Sequence, residues 1–179
     1  MKRAWLVVDM VEDFVAEDGA LTCGAPGQAA VLQLLPRLED AYAKQELIVF
    51  ACDAHAPDDQ EFALWPVHCV RGTKGAQLYG PLQSFYELHR GERVVLLEKT
   101  TYDAFFATDL EPLLRSHGVT DVVVAGVCTS ICCYATASGA YYRRFAVHAV
   151  PDGMADLTSR AHAFAVEQMK NVLKAQIES

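Results

Sequence analysis

The run Asp121-Val122-Val123-Val124-Ala125-Gly126-Val127-Cys128-Thr129-Ser130-Ile131-Cys132-Cys133 decides how the chain folds. Its apolar residues from Val122 to Ala125 suit a strand buried on both faces, as in a parallel sheet. Gly126 interrupts them. A helical pattern follows through Tyr134, Ala135, Ala137, Ala140 and Tyr141, with small residues that allow close packing. A strand therefore ends, turns sharply, and starts a helix with cysteines in its first turn. A helix N-terminus presents unpaired N–H groups and the positive end of a dipole, so a thiol there is expected to ionise more easily. Taken alone, a small buried cysteine is more often a space filler than a nucleophile.

Working outward, four more apolar runs read as strands: Ala4 to Val8 ending at Asp9, Leu47 to Cys52 ending at Asp53, Arg93 to Leu97 ending at Glu98-Lys99, and Phe145 to Val150. Helical spacing runs from Gln28 to Lys44, where Pro36 is expected to kink the helix or mark its true start. Asp109 is expected to cap a short helix to His117, stopped by Gly118. Thr158 or Ser159 is expected to cap a last helix reaching about Gln176. A long polar segment, Ala54 to about Gln77, separates the second strand from the third, and loops of that length in a compact domain are usually functional or disordered. Strands alternating with helices predict a single α/β domain over residues 1–179, a three-layer doubly wound parallel sheet of order 3-2-1-4-5. Ligands bind beyond the carboxyl ends of strands in such sheets. Asp9, Asp53, Lys99 and Cys132 all fall there.

Composition narrows the partners. The chain has 179 residues, 52% of them hydrophobic, enough for a substantial core. No run approaches the ~18 apolar residues of a membrane span. The first residues enter a strand without a signal-peptide pattern, which predicts a cytoplasmic protein. A net charge of −8 disfavours nucleic acid and anionic membrane as partners. Six cysteines in a chain read as cytosolic are not a disulfide framework, and no CxxC pair has zinc-finger spacing.

Two constellations carry chemistry. Asp9, Lys99 and Cys132 supply a base, a cation and a nucleophile at neighbouring strand ends, with backbone N–H groups of Cys128 and Cys132 available to a developing oxyanion. Asp53 and His55 stand at i and i+2 on one side of an extended chain. With His68 brought back by the loop, they make an O/N site for a divalent metal, and Glu61 is a candidate fourth ligand. Carboxylate plus imidazoles suits zinc first, then iron or manganese.

At this point the residues resemble a family. The chain is similar to the nicotinamidase (pyrazinamidase) branch of the isochorismatase-like cysteine hydrolases over nearly its whole length. The resemblance rests on Asp9-Met10-Val11-Glu12-Asp13-Phe14, Asp53-Ala54-His55, Trp65-Pro66-Val67-His68-Cys69, Lys99 with Tyr102-Asp103-Ala104-Phe105, and Gly126 to Cys132. It implies Asp9, Lys99 and Cys132 as a catalytic triad, with the nucleophile at Cys132 rather than Cys128 or Cys133. It implies Asp53, His55 and His68 as metal ligands, Glu61 where some members add a fourth, and a cis peptide between Val127 and Cys128. Phe14, Trp65 and Tyr102 would line an aromatic pocket for a flat heteroaromatic amide. The implied reaction is hydrolysis of nicotinamide to nicotinate and ammonia through a thioester, with the pyridine nitrogen on the metal.

The chain departs from the family pattern at Val11, Glu12, Cys128 and Ser130, where glutamine, asparagine, alanine and aspartate are common. These departures leave open another small amide or ureide as substrate. A metal-hydroxide hydrolase in which Cys132 is incidental is also compatible with the residues. So is a catalytically degenerate thiol redox-sensing or interaction domain. Apolar surface helices favour self-association. His89, His117, His148 and His162 show no partner pattern.

Overall fold

The computed structural model describes residues 2–178. Six strands form one sheet: β1 (Arg3–Val8), β2 (Leu47–Asp53), β3 (Val94–Lys99), β4 (Asp121–Val127), β5 (Ala146–Ala155) and β6 (Gln176–Ile177). Their order is β3-β2-β1-β4-β5-β6, and every pairing between them is parallel. The expected order of the first five strands holds, and a sixth short strand extends the edge beside β5.

Strand alternation sorts the core into two layers. Trp5, Val7, Ile48, Phe50, Val123 and Ala125 point to one face, beneath helices α1 (Glu12–Val15), α2 (Ala25–Ala43) and α3 (Pro81–His89). Ala4, Leu6, Val8, Val49, Val122 and Val124 point to the other, beneath α4 (Leu110–Ser116), α5 (Tyr134–Tyr142) and α6 (Ser159–Asn171). Both faces of β1, β2 and β4 are covered, which is why these strands are almost continuously apolar.

Several local expectations are corrected. Helix α2 begins at Ala25, with a proline in its first turn, so Pro36 lies inside the helix and does not start it. Asp109 occupies the N-cap position of α4, but its side chain makes no capping bond; Thr108 Oγ1 accepts the Leu110 N–H at 3.3 Å instead. Thr158 caps α6 through its hydroxyl, which accepts the Ala161 N–H at 3.1 Å. That helix stops at Asn171, well short of Gln176, because the chain turns through a positive φ of 57° at Lys174 and enters β6. The register of β5 against β4 slips between Val124 and Gly126, and Pro151 falls within the slipped stretch, where no ladder N–H is needed.

The long segment after β2 is ordered by its own contacts. It contains two short 3₁₀ turns, Gln60–Ala63 and Lys74–Ala76. The His55 N–H donates to the Cys69 carbonyl and the Arg71 N–H to the His55 carbonyl, both at 2.9 Å. These bonds return the His68 segment to the end of β2.

Candidate active site

The site is assembled where β1, β2, β3 and β4 end. The register aligns Val8 with Ala51 and Gly126, and Asp53 with Lys99, so the residues that follow emerge side by side. Asp9 leaves β1 with φ 54°. Asp tolerates this left-handed conformation better than most residues, and its N–H still donates to the Ala51 carbonyl at 2.9 Å. Asp9, Lys99 and Cys132 are all buried.

Lys99 is the centre of the arrangement. Its Nζ donates to Asp9 Oδ2 at 2.7 Å and to Asp53 Oδ1 at 2.5 Å. The Asp53 N–H donates to Asp9 Oδ1 at 2.8 Å. Burial alone would depress the ammonium, but the anions around it, Asp9 foremost, hold its pKa well above the ordinary lysine value. Asp9 shows the opposite balance. Burial, reinforced by repulsion from Asp53, raises its carboxyl from 3.8 to about 6 despite Lys99. Its charge acts on the neighbouring Cys132 thiol.

Cys132 sits in a π-helical turn, Thr129–Cys133, that precedes α5. The turn is closed by N–H groups of Ile131 and Cys133 donating to the Cys128 carbonyl, both at 3.1 Å. The expected lowering of the thiol pKa by a helix N-terminus is not what this environment produces. Burial comes first and the neighbouring Asp9 anion second, and together they push the thiol well above its ordinary value. Both effects favour the protonated thiol over the thiolate, which calls for a nearby base. The peptide between Val127 and Cys128 is cis.

Beside this group, Asp53, His55 and His68 offer ligand atoms that all lie within 4.8 Å of one another. Both imidazoles are preset to present Nε2. His55 Nδ1 faces Asp59 Oδ2 at 3.0 Å, and His68 Nδ1 faces the Pro66 carbonyl at 2.7 Å. A carbonyl only accepts, so His68 Nδ1 donates, and Nε2 is turned toward Asp53 Oδ2 at 3.9 Å. His55 Nε2 is buried without a hydrogen-bond partner and lies 3.6 Å from Asp53 Oδ2. The Asp53 contact, more than Asp59, raises the His55 pKa. Burial would raise the pKa of Asp53, but the neighbouring His55 imidazole and the Lys99 cation bring it below the ordinary value. An orphaned buried imidazole nitrogen, a second imidazole nitrogen and a carboxylate facing both fit a divalent cation. Glu61 lines the adjoining cavity but is not one of the three clustered ligands.

About 50 Å³ of that cavity is open to a water-sized molecule. Asp53, His68 and Cys132 reach it on one side; Phe14, Trp65 and Tyr102 supply aromatic walls. The Trp65 Nε1–H donates to the Tyr102 hydroxyl at 3.0 Å, and the Phe14 and His68 rings lie 5.5 Å apart. Tyr102 is set by the segment after Lys99, where the Ala104 N–H donates to Thr136 Oγ1 on α5 and Asp103 packs on Gly139.

Sequence reasoning missed several parts. Asp59 orients His55 and caps the 3₁₀ turn by accepting the Glu61 N–H. Asp13, quoted only within a motif, accepts the Cys69 N–H at 2.7 Å and so joins the chain after β1 to the His68 segment. Asp156 accepts the Ser130 N–H at 2.6 Å in the turn that carries Cys132. His162, given no role, faces Thr129 Oγ1 at 2.8 Å. Leu21, Val127, Ile131 and Leu157 complete the apolar wall. A carboxylate four residues after His55 was the one available signal for Asp59; the others depend on loop packing.

The fold, the strand-end triad and the three-ligand cluster define a class. Residues 3–179 match the isochorismatase domain, and the chain belongs to the isochorismatase family of hydrolases. It is 38% identical to the uncharacterized isochorismatase family protein PncA of Bacillus subtilis (strain 168), over 99% of each chain. It is similar to the crystal structure of nicotinamidase PncA from Bacillus subtilis, with a TM-score of 0.97 and 38% identity over 100% of each chain. It is also similar to pyrazinamidase of Pyrococcus horikoshii in complex with zinc, with a TM-score of 0.88 and 29% identity, covering 100% of this chain and 99% of that one.

Proposed function

We propose that this chain acts as one isochorismatase-like hydrolase domain that converts nicotinamide to nicotinate and ammonia through a thioester on Cys132. The observation that carries the reading is the double contact of Lys99 Nζ with Asp9 and Asp53. It ties the nucleophile's base to the metal-ligand cluster in one buried unit, beside a cavity with aromatic walls. The names of the similar structures, a nicotinamidase and a pyrazinamidase, support a heteroaromatic amide as substrate.

In this reading Asp53, His55 and His68 hold the divalent metal, zinc by preference, with Glu61 close enough to the cavity to serve a water or the substrate. When bound, that ion supplies a Lewis-acid contact for a ring nitrogen and balances the surplus carboxylate charge. The reacting groups belong to the chain. Asp9 takes the Cys132 proton as the sulfur attacks the carboxamide carbon, which suits a thiol whose surroundings favour its protonated form. Backbone N–H groups of Cys128 and Cys132 receive the oxyanion. Asp9 returns the proton to the departing nitrogen, so ammonia leaves and the thioester remains. Asp9 then deprotonates a water that cleaves the thioester to the carboxylic acid and free Cys132. Lys99 stays cationic throughout and holds Asp9 in place. Phe14, Trp65 and Tyr102 clamp the ring.

The test is ammonia release from nicotinamide, pyrazinamide and a carbamoyl amide, with metal content measured on the same sample. Turnover of the two heteroaromatic amides with about one metal per chain is expected. Turnover of the carbamoyl amide alone would replace the substrate assignment with another amidase of the family.

A further inference from the structure

The mechanism leaves one close pair of reactive side chains unused. Cys23 lies just before α2, and Cys128 opens the nucleophile turn; their sulfurs are 3.4 Å apart although 105 residues separate them. Both are free thiols. Cys23 is packed in the core beneath the sheet, while Cys128 is partly exposed and lines the active-site cavity. The pair therefore lies where a small oxidant can reach it through the substrate entrance. The Cys23 N–H is fixed to the Phe14 carbonyl at 2.9 Å, and Gly24 follows with φ 63°, so the thiol is held by its backbone on the Cys128 side. The other buried thiols, Cys52, Cys69 and Cys133, have no sulfur partner at such a distance among the described residues.

We propose that Cys23 and Cys128 form a reversible disulfide, with hydrogen peroxide as oxidant, that lowers turnover at the adjacent site. One sulfur attacks the peroxide, the O–O bond breaks, and a sulfenic acid and a water form. The second sulfur attacks the first and displaces a second water as the S–S bond closes. Two protons and two electrons leave the thiols, and the peroxide is reduced to water.

Bond formation needs the sulfurs to close from 3.4 Å to about 2.05 Å. Cys128 must share that movement, and it begins the turn that carries Cys132. Displacements of about 1 Å at reacting groups can cost up to ~10²-fold in rate. The effect on turnover rests on the amidase reading above; the disulfide rests on the two sulfurs.

The test treats the metal-loaded protein with stoichiometric hydrogen peroxide, blocks free thiols, and maps peptides without reduction. A Cys23–Cys128 crosslink is expected, with turnover down roughly tenfold or more and restored by dithiothreitol. Cys23→Ala should keep its turnover before oxidation, form no crosslink and show no reductant-reversible loss; Cys23→Ser serves if the alanine variant folds poorly. Absence of the crosslink while Cys132 is oxidised, or a crosslink that leaves turnover unchanged, would overturn the proposal. If the untreated protein hydrolyses no amide, the peptide map still decides the disulfide, and the amidase reading falls separately.

Discussion

Lys99 carries more consequence than any other side chain, because it holds two buried carboxylates at once. Replacing it with alanine leaves Asp9 and Asp53 facing each other without a cation. Lys99→Ala is expected to slow ammonia release by about 10²-fold, roughly 3 kcal/mol of barrier. It should also destabilise the fold by about 3–5 kcal/mol, the scale for removing one partner of a buried ion pair. A thermal melt and a rate measurement on one preparation check both, and an unchanged melting temperature would contradict the buried-cation account. Asp59 acts through His55. Asp59→Ala should weaken metal affinity about 10–100-fold in a chelator competition while leaving Cys132 alkylation unchanged. Asp9 and Lys99 were legible in the sequence because each follows an apolar run, and Cys132 because a turn into a helix follows the run that ends at Val127. Asp156 and Cys23 were not, because what they contact is set by returning loops and no periodicity reports it.

At the scale of elements, the junction of β1 with β4 is the tightest point. Gly126 has φ 127°, and a Cβ there would lie 2.0 Å from the Val8 carbonyl oxygen. The residue after Val8 is Asp9, so any shift at this contact moves the proposed base relative to the turn bearing Cys132. Gly126→Ala is expected to destabilise by about 3 kcal/mol or more and to depress turnover in the fraction that folds; chemical denaturation measures this. A variant of wild-type stability would mean the two strand ends are not in contact. The alternation of strands and helices made the sheet order readable in advance. Helix α3 was overlooked although Gly80-Pro81 marks its start and Leu82 and Phe85 share its buried face. Strand β6 was absorbed into the preceding helix because Leu173 and Ala175 continue an apolar pattern that is compatible with either element. What ends the helix is the turn at Lys174, and lysine is not a residue that signals a positive φ.

For the molecule as a whole, the chemistry depends on four strand ends meeting, and pH reads that meeting out. Asp9 must be ionised to act as a base, and its carboxyl is raised from 3.8 to about 6. Turnover should therefore fall about tenfold per unit as pH drops below the Asp9 titration. A bound dication at Asp53 offsets part of the repulsion and moves that limb lower; activity unchanged down to about pH 4 would remove Asp9 as the base. The same shift has the opposite sign for stability. A carboxyl raised on folding favours the native state below its ordinary value, and this contribution is lost as pH rises through about 6. The chain carries a net charge of −8, and the cavity, lined by Asp53 and Glu61, shares that sign. All of this serves one claim, that the Cys132 sulfur makes the covalent bond. The most direct measurement is ammonia release from nicotinamide by Cys132→Ala protein carrying the wild-type complement of metal. No release above background is the expected result; turnover at the wild-type rate would contradict the account.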